Sequence, residues 1–375
     1  MKTVRRPAAH LKGLEPYDPK YLPARLYLNA NENPYGMPPQ ARAELIRMLE
    51  TEPLHRYPDP LAKRLRIAVA DKLGLEPENI LLGNGGDELI FDLCLAYGGM
   101  KRRLLITPPT FSVYATDAQL TYTDLVEIAR ATGQTPAGFL DFSIDEAAVL
   151  AQLKGGAVDL VMLTSPNNPT GDCLSLDFIE AVLAATDAVV LMDQAYIEFS
   201  DPQFDVCALL SQHANLAILR TFSKAYGLAG MRIGYLLAGK EIMSQLYKVR
   251  QPYSVDAGAA LAALAALAEA REVQSLVESI KAERTRLIDR LGPDGLGLAL
   301  TASEANFVLV KIPQAHKIWQ QLYDEYGILV RDLSQAAGLE DCLRITIGTP
   351  EENDELVQAL RALIWRQNWK LRIKN

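Results

Sequence analysis

The stretch Thr221-Phe-Ser-Lys-Ala-Tyr-Gly-Leu-Ala-Gly-Met-Arg-Ile-Gly-Tyr235 sets Lys224 among hydroxyls and loop glycines, between two apolar strands, with Arg232 eight residues further on. A solitary lysine is a solvated surface group, whereas one partly stripped of water gives up its proton more readily and becomes a nucleophile or base. Gly83-Asn-Gly-Gly-Asp-Glu88 joins a strand to a helix. Glycines there let backbone N–H groups approach a phosphate, and a helix N-terminus adds favourable potential. A dinucleotide fingerprint needs glycine at position 88, where Glu88 stands. Asp193 closes the apolar strand Ala188–Met192, a place that suits a turn or helix cap as well as an acid. Ser165-Pro-Asn-Asn-Pro-Thr-Gly171 and Arg56-Tyr-Pro-Asp-Pro60 have turn chemistry, and the aromatics of Pro108-Pro-Thr-Phe-Ser-Val-Tyr114 suit a core. Arg331 and Arg344 stand 13 residues apart, spaced to converge on an anion from neighbouring strands; a surface salt bridge is the alternative, for Arg331 with Asp332.

In this order these segments resemble the motifs of the fold-type I pyridoxal-5′-phosphate (PLP) aminotransferases, and together they cover nearly the whole chain. The resemblance implies that Lys224 carries the cofactor as a Schiff base. It assigns the phosphate to the backbone of Gly86, Asp87 and Glu88 together with Ser223, Arg232 and Thr221; arginine suits the task because its planar fork stays charged and binds oxyanions bidentately. Asp193, in the D-x-A-Y pattern Asp193-Gln-Ala-Tyr196, would pair with the pyridine nitrogen and keep it protonated, so that the ring acts as an electron sink. Tyr196 and Asn168 would hydrogen-bond the 3′-oxygen, and Tyr114 would stack on the ring. Tyr57 would reach across a homodimer interface to the partner's cofactor phosphate, making the active site composite and a monomer nearly inactive.

Four further segments, Leu28-Asn-Ala-Asn-Glu-Asn-Pro-Tyr-Gly36, Leu14-Glu-Pro-Tyr17, Val330-Arg-Asp332 and Cys342-Leu-Arg-Ile-Thr-Ile-Gly348, resemble the histidinol-phosphate aminotransferase family in particular. The implied reaction moves an amino group between L-glutamate and imidazole-acetol phosphate, giving L-histidinol phosphate and 2-oxoglutarate, with ping-pong kinetics. Both amino-group partners are anions. Arg344 would hold the group next to the reacting carbon and Arg331 the substrate phosphate or the distal carboxylate of glutamate. Tyr17 and Asn31 would close the pocket from a mobile arm. Sister activities share the cofactor motifs: an aminotransferase preferring aromatic substrates, or a decarboxylase of a phosphorylated amino acid. A non-catalytic regulator would need a DNA-binding unit, and the roughly 40 residues before the fold show no helix-turn-helix pattern.

The elements expected to position these groups form an α/β pattern. A helix over 60–73, a strand from Asn79, the turn Gly83–Gly86 and a helix from Asp87 to Tyr97 precede apolar strands at 104–107, 158–164, 188–192, 216–221 and 233–238. Strands alternating with helices predict a mainly parallel sheet between helices. Beyond about residue 240 helices dominate, followed by strands at 305–311 and 342–347 and a last helix announced by Thr349, Pro350 and Glu352. The expected organisation is an N-terminal arm over 1–40, a large domain over 41–250 and a smaller α/β domain over 251–375 that packs with the arm. The 375 residues are nearly half apolar and carry a net charge of −8, which argues against a broad nucleic-acid surface. Cys94, Cys173, Cys207 and Cys342 show neither metal-like spacing nor a paired framework and read as reduced thiols of a cytoplasmic protein. His10, His55, His213 and His316 are scattered, without an H-E-x-x-H motif, so no metal is expected. The run 257–269 falls short of the roughly 18 apolar residues of a membrane span and reads as a closely packed internal helix.

Overall fold

The computed structural model describes residues 5, 8–11, 13–14 and 22–374, with side chains described as far as residue 366. Seven strands form the large sheet, in the order Ile80–Asn84, Ile233–Ala238, Leu216–Thr221, Val189–Asp193, Leu160–Thr164, Arg103–Ile106 and Asp124–Glu127. Ile233–Ala238 runs antiparallel to both neighbours, and the other paired strands are parallel. The central strands are buried along their whole length. Alternate residues face separate apolar layers: Val190, Met192 and Ile218 on one side, Val189, Leu191 and Ala217 on the other. This two-sided burial explains the uninterrupted apolar runs in the sequence.

Topology decides where the chemistry sits. The parallel strands all end at one edge, where ligands bind in open α/β sheets. Thr164, Asp193 and Thr221 are the last residues of three adjacent strands. The antiparallel strand begins at that edge, which delivers Arg232, immediately before Ile233, to the same place. Ile80–Asn84 also ends there, and the helix Gly85–Tyr97 starts directly from it.

A second sheet orders Leu26–Leu28, Ile328–Asp332, Cys342–Thr346, Phe307–Lys311 and Ala299–Leu300. Its first strand comes from the arm and pairs in parallel with Ile328–Val330. The alanine-rich run forms the helix Ala257–Ala268, with Ala259, Ala262, Ala263, Ala265 and Ala266 buried against the core.

Two helix starts and one edge strand differ from expectation. The strand from Ile80 continues through Gly83 and Asn84, and the helix starts at Gly85 rather than Asp87, because the Asn84 N–H donates to Glu88 Oε2 at 2.7 Å. The helix expected from residue 60 starts at Lys63, since the Asp59 carboxylate accepts the N–H groups of Leu61 and Lys63 and holds the intervening residues in a turn. The edge strand Asp124–Glu127 was not foreseen: charged at both ends, with only Val126 buried, it carries no apolar alternation.

The last helix, Pro350–Lys374, has the reciprocal start its sequence announces: the Thr349 N–H donates to Glu352 Oε2 at 2.8 Å, and the Glu352 N–H to Thr349 Oγ1 at 3.3 Å. Thr349→Ala removes one of these bonds and lowers stability by about 1 kcal/mol. Urea titration checks this as a lower midpoint at unchanged slope.

Candidate active site

A cavity of about 630 Å³ opens at the carboxyl edge of the large sheet, closed on its far side by the small sheet and the arm. It is lined by Lys224, Asp193, Tyr196 and Asn168, by Gly86, Asp87, Ser223, Thr221 and Arg232, and by Asn31, Arg331 and Arg344. The volume suits a cofactor together with a small substrate.

Lys224 leaves the strand Leu216–Thr221 through a tight loop, in which the Leu228 N–H donates back to the Phe222 carbonyl at 3.1 Å. Gly227 is required here: its φ is +66°, and a Cβ would lie 2.4 Å from the Gly36 carbonyl carbon of the arm. The lysine Nζ donates to the Ala30 carbonyl at 3.0 Å and lies 5.8 Å from the centre of the Tyr196 ring. Burial, reinforced by the nearby Arg344 guanidinium, pushes the amine down to about 8. The neutral, nucleophilic form is therefore far more populated near neutral pH than for an ordinary lysine.

Asp193 is buried. Its Oδ1 accepts the Ala195 N–H at 2.9 Å and its Oδ2 accepts the Tyr114 hydroxyl at 2.6 Å. Burial pushes the carboxyl up to about 6, against the pull of those two hydrogen bonds. The Tyr196 hydroxyl accepts from Asn31 Nδ2 at 3.0 Å. Asn31 is itself fixed, its N–H donating to Thr346 Oγ1 at 2.9 Å and its carbonyl accepting from Asn306 Nδ2 at 3.0 Å.

At another part of the wall Arg232 pairs with Asp87 at 3.1 Å, its guanidinium packed over Gly85 so closely that a Cβ there would lie 2.6 Å from Nη2. The helix Gly85–Tyr97 presents its N-terminus at this point, with the Ser223 hydroxyl and the Gly86 backbone on the same cavity wall. Cationic fork, helix N-terminus and hydroxyl together form an anion cradle. Thr221 spends its hydroxyl inside the protein, accepting the Ser223 N–H at 3.0 Å and donating to the Ile233 carbonyl at 3.3 Å.

Arg331 and Arg344 stand directly opposite each other on antiparallel strands, and both line the cavity. Like charges in that register repel, so the pair suits a site that an anion fills. Arg344 donates from Nη1 to Asn168 Oδ1 at 2.5 Å and from Nη2 to the Asn29 carbonyl at 2.8 Å, and stacks over Phe307 at 5.4 Å. With Oδ1 so engaged, the Asn168 amide is left to donate through Nδ2. Asp332, considered as a surface partner for Arg331, accepts instead from Ser334 and pairs with His316 at 2.7 Å.

Two sequence-derived assignments change, those of Tyr114 and Glu88. Tyr114 does not stack on anything in the cavity: its ring is fully buried and its hydroxyl holds Asp193, while Phe111 lines the cavity and meets Tyr114 edge-on at 5.7 Å. The Phe-x-x-Tyr spacing was visible in the sequence, but which ring faced inward depended on where the helix Val113–Leu120 begins. Glu88, unlike Gly86 and Asp87, does not line the cavity, and its side chain turns back to the Asn84 N–H. Asn31 lines the cavity with its amide bonded to Tyr196 and Thr346. Tyr57 does not line the cavity of its own chain; it is 82% exposed and stacks on Tyr253 at 4.7 Å. Tyr17 lies outside the described residues. Two functional groups go unmarked at the level of sequence: Phe111 and the Ala30 carbonyl, the latter because a backbone acceptor has no side-chain signature.

PLP has four features to match: a phosphate, a ring nitrogen, the phenolic 3′-oxygen borne by the ring, and an aldehyde. The cavity offers an anion cradle at Arg232, a buried carboxylate at Asp193, hydroxyl and amide groups at Tyr196 and Asn168, and a depressed amine at Lys224. The residues fit the cofactor. The family model for aminotransferase class I and II matches residues 25–360. Histidinol-phosphate aminotransferase 1 of Carboxydothermus hydrogenoformans is 42% identical over 94% of this chain and 96% of that protein. Histidinol-phosphate aminotransferase of Chlorobaculum tepidum is 36% identical over 91% of this chain and 94% of its own length. The crystal structure of histidinol-phosphate aminotransferase from Sinorhizobium meliloti in complex with pyridoxal-5′-phosphate superposes with a TM-score of 0.87 at 26% identity, covering 97% of this chain and 99% of that one.

The depressed amine has a consequence for stability. Folding holds Lys224 at about 8, below its ordinary 10.5, so the folded state is penalised at every pH below about 8. Between those two values the unfolded chain holds the extra proton, and the penalty fades as the pH rises. Lys224→Met accordingly stabilises the cofactor-free protein at pH 7 by on the order of 2 kcal/mol, a gain that shrinks toward pH 10.5. Thermal unfolding of the two proteins across that range tests this, and identical midpoints at neutral pH would contradict a desolvated amine.

Proposed function

This chain belongs to the class I and II aminotransferases and, within them, to the histidinol-phosphate aminotransferases; from that premise we propose that it exchanges an amino group between L-glutamate and imidazole-acetol phosphate, yielding L-histidinol phosphate and 2-oxoglutarate. The observation that carries the substrate reading is the opposed pair Arg331 and Arg344 on the cavity that holds the depressed amine of Lys224. Both exchange partners bring an anionic group distant from the reacting carbon, and two guanidinium groups in one wall suit both.

Bound PLP supplies the electron sink for negative charge at the substrate carbon. The chain's own residues do the rest. Lys224 provides the amine for covalent attachment and, once released, takes the proton from the carbon that bears the amino group; its lowered basicity suits it to both tasks. Asp193 holds the proton on the ring nitrogen. Tyr196 and Asn168 donate to the 3′-oxygen, Asn168 in the orientation that Arg344 imposes. Arg232, Ser223 and the N-terminus of the helix Gly85–Tyr97 take the cofactor phosphate. Arg344 fixes the substrate carboxylate or its counterpart, and Arg331 the distal anion.

Tyr57, exposed on its own chain, serves the cavity of a second copy in a homodimer; its 82% exposure beside Tyr253 leaves a flat aromatic pair free for that contact. A cytosolic setting fits the four free cysteines, of which burial pushes Cys173 and Cys207 up to about 12 and leaves them inert. Among the described residues no helix is long and apolar enough to cross a membrane.

The deciding experiment gives the PLP-loaded protein L-glutamate alone, then a panel of keto acceptors. Absorbance should report conversion of the cofactor from its aldehyde to its amine form, with imidazole-acetol phosphate the best acceptor; carbon dioxide release without that conversion identifies a decarboxylase, and preference for aromatic keto acids identifies the other sister activity. Lys224→Ala, as control, should take no borohydride label. Arg344→Ala is expected to weaken glutamate binding roughly 10- to 100-fold with little loss of cofactor. Release of PLP on that substitution would reassign Arg344 to the cofactor.

A further inference from the structure

Three strand and helix ends meet behind Asp193. Thr164 and Asp193 are register partners, the last residues of neighbouring parallel strands. Tyr114 enters from the first turn of the helix Val113–Leu120. Its ring is fully buried, where phenylalanine would fill the same space; a phenol there is tolerated only because its oxygen is bonded. The bonding has one consistent direction. The tyrosine has a single hydroxyl hydrogen, and Asp193 Oδ2, 2.6 Å away, can only accept it when ionised. Thr164 Oγ1, 2.8 Å from the phenol oxygen, must therefore be donor to Tyr114. A donor behind the phenol polarises it and strengthens its bond to the carboxylate.

We propose that Tyr114, backed by Thr164, is a positioning residue for the proton on the cofactor ring: it fixes the Asp193 carboxylate in one orientation and favours its ionised form, so that the proton stays on the ring nitrogen. The inference rests on the reading that Asp193 faces that nitrogen. Its physical basis is a competition. In a buried site a carboxylate and a protonated pyridine can neutralise each other by moving the proton to the acid. The Ala195 N–H at 2.9 Å on Oδ1 and the Tyr114 hydroxyl on Oδ2 bind the anionic carboxylate better than the neutral acid and oppose that transfer. Removing the phenol hydroxyl weakens that opposition without enlarging the cavity, because Tyr114 does not line it.

The test loads wild type, Tyr114→Phe, Thr164→Val and Asp193→Asn with PLP labelled with nitrogen-15 in the ring, and reads the ring-nitrogen chemical shift across the neutral pH range beside kcat and KM. Tyr114→Phe is expected to move the resonance toward the unprotonated position and to lower kcat roughly 10- to 100-fold, the worth of a hydrogen bond to a charged group, with KM for glutamate little changed. Thr164→Val should move it the same way by less, and Asp193→Asn should move it fully. A Tyr114→Phe protein with the wild-type resonance at every pH, while Asp193→Asn has lost it, overturns the inference and leaves Tyr114 a core residue. If Asp193→Asn also keeps the wild-type resonance, the reading of Asp193 fails, and the inference with it. Should Tyr114→Phe not fold, Thr164→Val decides: a shift in the stated direction supports the arrangement, an unchanged resonance refutes it.

Discussion

The amine of Lys224 lies 3.0 Å from the Ala30 carbonyl and shares its cavity with the guanidinium groups of Arg344 and Arg331. Loss of hydration and cationic neighbours both act to remove its proton. Arg344 thus lowers the amine while adding to a positive wall suited to anions, so one electrostatic arrangement serves two tasks that conflict in water: a lysine that gives up its proton readily, and a pocket that is positive. The acidic neighbours Glu32 and Asp87 act in the opposite sense and keep the amine from becoming too weak a base. The rest of the structure supplies the enclosure that makes these interactions strong.

That enclosure follows from strand direction. One antiparallel strand in an otherwise parallel sheet turns the chain back to the edge where its neighbours end, so that Arg232 and Asp193 share a wall although 39 positions of sequence separate them. The arm completes the far side. Leu26–Leu28 is held by Ile328–Val330, and the residues just beyond it reach the lysine through Ala30 and the tyrosine through Asn31. A segment without periodicity of its own is thus positioned by borrowing a sheet edge.

Much of this was legible in the sequence, and for identifiable reasons. Buried strands announce themselves by continuous apolar runs, and Leu216–Thr221 and Ile233–Ala238 lie where such runs predict. The capping residues Thr349 and Glu352 act only on their near neighbours, so their meaning survives without a fold. Orientation was not legible. Phe111 and Tyr114 are both aromatic and three residues apart, and which of them meets the cavity depends on how a helix docks against two strand ends. Asn31 looks like a free amide in a polar arm until Thr346 and Asn306, some 300 residues away, are brought against it. Glu88 reads as part of a phosphate turn, but its side chain caps Asn84 and, unlike Gly86 and Asp87, it does not line the cavity.

The contact between the Arg232 guanidinium and Gly85 ties two distant codons together. With arginine at 232, any side chain at 85 must occupy space the guanidinium already fills, and the positive φ of +78° adds a second penalty. A substitution at position 85 alone therefore bears the backbone strain and pushes the guanidinium off its place, whereas shortening residue 232 first would relieve the crowding and give up the forked charge in the same step. The two positions are thus coupled through the place of one charged group, and a change at either is felt at the other.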